Sequence, residues 1–178
     1  MVYDGARHES VTRHAELVAR SFVVSSFGKT YHVTGWKVGY VSAPAALMAE
    51  FRKVHQFNVF TVNTPMQHGL AGFMADASHH LGLSAFYQHK RDRFRAGLAG
   101  TRLRLLPCQG TYFQCVDYAA ISDQSEEAFC RWLTQEIGVA AIPLSAFYAD
   151  GREQRVVRLC FAKKDETLDL ALDRLARL

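Results

Sequence analysis

Residues 25–40, SSFGKTYHVTGWKVGY, carry two lysines, Lys29 and Lys37, with no acid between them. Ser26 stands three residues before Lys29 and Gly28 immediately before it. A cation beside an amine lowers that amine's proton affinity, and a partly buried amine of this kind is a usable nucleophile. A hydroxyl and a second cation suit an anionic group such as phosphate, and a glycine lets backbone approach a ligand closely. Together these residues suit condensation of the Lys29 amine with the aldehyde of pyridoxal phosphate, giving a Schiff base. The same spacing also fits an ordinary solvated lysine in a turn, so residue types alone make Lys29 a candidate.

The elements around it must place it. RSFVV before the segment is apolar and β-branched, and residues 20–26 read as a buried strand. Residues 37–44 read as a second strand. Residues 44–57 and 64–77 have helical periodicity, with Pro44 and Pro65 at tolerated first-turn positions. A longer helix is expected from Ser84 to Leu98. It contains the densest basic run, HKRDRFR, which reads as a solvated helix face. Beyond residue 101 the texture changes to short strands at LRLLP, TYFQCVDY, VAAIPL and RVVRLCF. Between them Asp123 and Glu126 look like a capping box, followed by Phe129, Trp132, Leu133 and Ile137 at helical spacing up to Gly138. A last helix begins near Asp165 with a Leu168, Leu172, Leu175 stripe. The pattern is an α/β layer followed by an α+β unit.

The bulk properties exclude more than they assign. The chain has 178 residues, with 21 Lys+Arg, 17 Asp+Glu and a formal charge of +4. That balance is too mild and mixed for a nucleic-acid partner. No apolar run approaches a membrane span, and the first residues have no apolar signal core. Four cysteines without a CxxC pair read as reduced thiols, and a cytoplasmic location is expected. The eight histidines form no HExxH and no Cys-His pair of ligand spacing, so no metal is expected. GxSxG is absent, which gives a serine hydrolase no support.

SFGKTYHVTGWKVGY resembles the lysine segment of the class I, fold-type-I pyridoxal-phosphate-dependent aminotransferases. Ser26, Phe27, Gly28, Lys29, Lys37, Val38 and Gly39 match that pattern. His32 departs from it, and Lys37 replaces the commoner arginine, as in the kynurenine and methionine aminotransferase branch. VYDG, FTVNTPMQ, LPCQGTYF, GVAAIPLSAFY and VVRLCFAK resemble further family segments in the family's order, so the likeness runs over nearly the whole chain.

The resemblance implies roles. Lys29 would hold the cofactor and move the substrate proton. Ser26 and Lys37 would contact the phosphate, and Tyr3 the cofactor's phenolic oxygen. Arg158 would bind the substrate carboxylate, although an arginine in a surface ion pair is its ordinary alternative. The implied fold is the C-terminal part of the large domain, with a mixed, mostly parallel sheet (residues 1–82), then a linking helix and α+β small domain (residues 83–178). The implied reaction exchanges the amino group of an amino acid, methionine or aromatic, with a 2-oxo acid in a homodimeric enzyme. By this likeness the aspartate that pairs with the pyridine nitrogen, the Gly-rich phosphate loop and the ring-stacking aromatic fall before Met1. The chain alone is therefore expected to be inactive. The alternative is a non-catalytic remnant that at most captures pyridoxal phosphate through Lys29.

Overall fold

β-branched Val23 and Val24 open strand β1 (Val23–Ser26), which is followed at once by a single helical turn, Phe27–Thr30. The chain returns through a 3-10 turn at Thr34–Trp36 into β2 (Gly39–Ser42). The two strands pair antiparallel, Val23 opposite Ser42 and Ser26 opposite Gly39. This computed structural model describes residues 1–178, and the chain divides into two units. Arg7–Leu83 is the lysine unit; Met1–Ala6 together with Ser84–Leu178 is the arginine unit.

In the lysine unit, helix α1 (Ala45–Asn58) starts directly after Pro44. Helix α2 (Thr64–Met74) is capped by Asn63, whose side chain accepts from Met66 N–H at 3.1 Å, with Pro65 in its first turn. Its Leu70 is buried, whereas α1 buries no residue, and Val54, Phe57, Phe60 and Leu81 stand exposed. The pairing expected to be mostly parallel is antiparallel in β1–β2. A direct return through residues 27–38 reverses the chain, and a parallel neighbour would need a longer crossover.

In the arginine unit, β3 (Arg104–Leu105), β4 (Phe113–Asp117), β5 (Ile142–Pro143) and β6 (Val156–Cys160) form an antiparallel sheet in the order β3-β4-β6-β5. Gln114 and Val116 pair with Leu159 and Val157, and these four buried residues mark the core face. Helix α3 (Leu83–Leu98) buries Tyr87, Lys90, Arg91, Phe94 and Leu98 along one stripe. The basic run in this helix is therefore not a solvated face throughout. Lys90 donates to the Lys163 carbonyl at 2.9 Å and to Asp165 at 2.6 Å. Arg91 grips both carboxylate oxygens of Asp4, at 2.7 and 2.6 Å, and the Cys108 carbonyl at 2.8 Å. Their alkyl stems lie on the apolar stripe while the charged ends are paired.

Helix α4 (Glu126–Trp132) widens into a π turn at Leu133–Ile137 and stops at Gly138, whose φ of 75° is left-handed. Its cap is Ser125, accepting from Ala128 N–H at 3.3 Å, and not Asp123, which pairs with Arg155 at 2.8 Å. Helix α5 (Asp165–Leu175) buries Leu168 and Leu175. No helix of the chain is long and apolar enough to cross a membrane.

Candidate active site

One turn holds two of the expected residues, and a third follows the next turn. Ser26 caps the helical turn Phe27–Thr30, its hydroxyl oxygen accepting from Gly28 N–H at 3.1 Å. Lys29 stands in that turn. The β1–β2 pairing runs one step beyond Ser26–Gly39, with Phe27 N–H donating to the Val38 carbonyl at 3.2 Å. Lys37, the next residue along, is thereby brought alongside the Ser26–Lys29 turn. Its own backbone is left-handed, φ 55°, an uncommon state for a residue with a side chain.

The glycines of this segment serve the fold. A Cβ on Gly39 would lie 2.6 Å from the Ser25 carbonyl oxygen, and one on Gly28 would lie 3.0 Å from Thr34 Cα. The close approach that Gly28 permits is thus to the chain's own backbone, where the sequence suggested a ligand. Gly28 is buried, but Ser26, Lys29 and Lys37 are exposed. The amine expected to be partly buried is therefore on the surface, because a single helical turn puts only Gly28 inward. A recess lined by Ser25, Ser26, Phe27, Thr30, Tyr31, Tyr40 and Met74 adjoins the turn, and the lysines are not part of its lining. Two lysines and a hydroxyl in and beside one exposed turn suit a phosphorylated aldehyde: one amine to condense, the other donors to hold the anion.

Arg158 belongs to the arginine unit. It lies on β6 opposite Cys115 and Ile142, on the sheet face away from Val157 and Leu159. Its guanidinium carbon sits 4.5 Å from the centre of the Phe113 ring and 4.9 Å from that of Phe147. Arg158 forms no salt bridge with any carboxylate of the chain, so the surface ion pair that was its alternative is not made. Aromatic faces hold the cation by attraction to the ring quadrupole while leaving its planar fork of donors unspent.

Tyr3, expected to contact the cofactor's phenolic oxygen, is buried in the arginine unit. It is 1 % exposed, with its hydroxyl donating to the Thr111 carbonyl and its ring 4.7 Å from the Arg91 guanidinium carbon. Its phenol is spent on packing the N-terminal segment into the arginine unit. Burial pushes its pKa up to about 12, with a smaller raising contribution from Cys108. Tyr118, fully buried with its hydroxyl donating to the Gln124 carbonyl at 2.8 Å, is also pushed up to about 12, first by burial and then by Glu126.

An unfolded tyrosine ionises at about 10, so both raised phenols favour the folded state below that pH. This contribution is lost as pH rises from about 10 through about 12. In an alkaline titration, Tyr3 and Tyr118 should yield tyrosinate absorbance only as near-ultraviolet circular dichroism is lost, and Tyr87, also raised by burial, should ionise later than the exposed tyrosines. Full tyrosinate amplitude near pH 10 with native dichroism would contradict this.

Sequence reasoning missed Glu126. Read as the acid of a capping box, it is instead fully buried. Oε1 accepts from Gln154 N–H at 2.8 Å and Val156 N–H at 3.1 Å, and Oε2 from Ser145 N–H at 2.5 Å. Burial alone would push its carboxyl up. The bonds from Gln154, Val156 and Ser145 outweigh that and hold its pKa below the usual glutamate value. An acid at the head of a helix is an ordinary signal, and nothing in its spacing distinguishes inward from outward.

Comparison with known proteins gives the family and the fold. The profile of the family described as "Aminotransferase class I and II" matches residues 1–175. The chain is 55% identical over 172 residues to a methionine aminotransferase of Escherichia coli, covering 96% of this chain and 45% of that one. It is 32% identical over 188 residues to a probable N-succinyldiaminopimelate aminotransferase of Mycobacterium tuberculosis, covering 100% of this chain and 47% of that protein. A solved E. coli structure, reported with a methionine aminotransferase function, superposes with a TM-score of 0.95 at 53% identity over 100% of this chain and 47% of its own. The chain thus spans about half the length of the curated relatives it matches.

Proposed function

Because the chain belongs to the aminotransferase class I and II family, we propose that it carries the cofactor lysine, the phosphate contacts and the carboxylate arginine of a pyridoxal-phosphate-dependent transaminase. The reaction class exchanges an amino group between an amino acid and a 2-oxo acid. Methionine and aromatic amino acids are the proposed donors, supported by the likeness to the E. coli methionine aminotransferase. The observation that carries the reading is the turn that holds Ser26 and Lys29, with Lys37 beside it.

Pyridoxal phosphate, when bound, supplies the aldehyde and the electron sink that this exchange requires. Ser26 donates its hydroxyl hydrogen to the phosphate, since its oxygen already accepts from Gly28. Lys37 adds a point charge to the same group. Lys29 would hold the cofactor, and its amine would move the proton at the substrate Cα. Arg158, with no internal counter-ion, pairs its planar fork with the substrate α-carboxylate. A cytoplasmic location and self-association into a homodimer belong to the same proposal.

Treating the chain with pyridoxal phosphate and then borohydride should give a stoichiometric adduct that maps by peptide mass spectrometry to the peptide containing Lys29. Adducts spread over many surface lysines, with none favoured, would overturn the assignment.

A second proposal concerns the 178 residues taken alone: they capture the aldehyde without sustained turnover. The exposure of Val54, Phe57, Phe60 and Leu81 in the lysine unit supports it, since apolar area of that kind is normally covered in a working enzyme. Repeated conversion of methionine with a 2-oxo acid acceptor by the purified chain would refute it.

A further inference from the structure

Arg158 is held by two segments that are not neighbours in sequence, and one buried carboxylate bonds to both. The guanidinium rises from β6, while the Phe147 ring beneath it comes from the 3-10 turn Leu144–Phe147. Glu126 reaches both. Oε1 takes the N–H groups of Gln154 and Val156, the second of these two residues before Arg158 on the same strand. Oε2 takes the N–H of Ser145, two residues before Phe147. The short β5–β6 pairing, Ile142 opposite Arg158 and Pro143 opposite Val157, joins the strand to the start of this turn, and Glu126, fully buried with both oxygens engaged, adds the side-chain tie that reaches Ser145 within it.

We infer that Glu126 is a positioning residue for the carboxylate-binding arginine. Its two oxygens hold the strand of Arg158 and the turn of Phe147 at the separation that sandwiches the guanidinium between Phe147 and Phe113. The inference rests on the reading of Arg158 given above. It goes further by placing the control of the arginine's orientation at a residue that touches no substrate. An amide at this position keeps one acceptor but turns an NH2 toward N–H donors, so one of the two segments must be released. Loss of that tie tilts the guanidinium off the Phe147 face while the cation and both rings remain present. Displacements of about 1 Å in a binding group cost up to about a hundredfold in function. An arginine that keeps one ring should lose less.

The test uses the full chain with two independent readouts. The first needs no ligand. Between two ring faces the Arg158 Hε resonance is shifted upfield by ring currents, and Glu126→Gln should move it most of the way back to the value of a solvated arginine. The second is the affinity for 3-phenylpropionate, a carboxylate probe, with 3-phenylpropanol as the control. Glu126→Gln should weaken probe binding about tenfold and leave borohydride trapping at Lys29 unchanged. If Glu126→Gln loses its dispersed amide spectrum, Glu126→Asp carries the same readouts, because it keeps the charge but is one methylene too short to hold both segments. A folded variant with unmoved Hε and wild-type affinity overturns the positioning role while leaving the transaminase reading intact. If the wild-type chain fails to distinguish the carboxylate probe from the alcohol, the reading of Arg158 falls. The ligand-free Hε shift then decides the role of Glu126 on its own.

Discussion

Lys29→Ala leaves no borohydride-stable pyridoxal phosphate adduct above the background of the other surface amines, whereas Lys37→Ala keeps the adduct and loses the preference for a phosphorylated aldehyde. The two lysines stand in and beside one turn, and the proposal gives them different tasks. On the proposed reading the amine at position 29 is the one that condenses, and alanine removes that atom. Lys37 is brought beside the turn by the Phe27–Val38 backbone bond and acts through charge. A charge-assisted contact is worth about 1.5–3 kcal/mol. At an exposed position the low end applies, and that corresponds to about a tenfold fall in the ratio of pyridoxal phosphate to pyridoxal capture. The measurement is adduct yield with each aldehyde across the wild type and both variants. Equal yield from Lys29→Ala and wild type would remove Lys29 from the site. A Lys37→Ala variant with unchanged selectivity would remove the phosphate role.

Phe129→Ala should be the most damaging single change to the arginine unit. The ring is fully buried and stacks on Tyr118 with centroids 3.9 Å apart and planes within 3°. Truncation leaves a cavity beneath Tyr118 and removes the stacking, for a cost of about 3–5 kcal/mol. Whole domains are stable by only about 5–15 kcal/mol, so the variant should unfold at much lower denaturant than the wild type. Leu170→Ala on α5, where the side chain is 52% exposed, should stay within about 0.5 kcal/mol. The comparison is by denaturant midpoint with far-ultraviolet dichroism. Similar midpoints for the two variants would show that the core does not lie where the structure puts it.

Much of the fold was legible because its elements obey simple periodicities. The helices at 45–58, 64–74, 83–98 and 165–175 and the strands at 113–117 and 156–160 lie where the pattern of apolar residues predicts them. Gly138 ends its helix as expected. Long-range polar geometry was not legible. Asp123 and Ser125 are both competent caps, and the choice between them depends on Arg155 drawing Asp123 away. Lys90 and Arg91 read as solvent residues until Asp165 and Asp4 are known to meet them. The direction of strand pairing is a property of the connection, which alternating hydrophobicity does not encode. In the candidate site, Ser26, Lys29 and Lys37 could be found because they are near in sequence. The partners of Arg158 (Phe113, Phe147 and, through the backbone, Glu126) come from three separate segments. The burial of Tyr3 was not legible for the same reason, since its hydrogen-bond partner Thr111 is 108 residues away.

The return of Met1–Ala6 to the arginine unit makes that unit discontinuous, with the lysine unit inserted between its two pieces. During synthesis the ribosome releases Tyr3 and Asp4 long before Thr111 and Arg91 exist to receive them. The segment between them, residues 7–83, emerges before the second piece of the arginine unit. The opening residues must remain unclaimed until the later half emerges, so closure of this seam is set by the pace of translation as well as by the energy of the contacts.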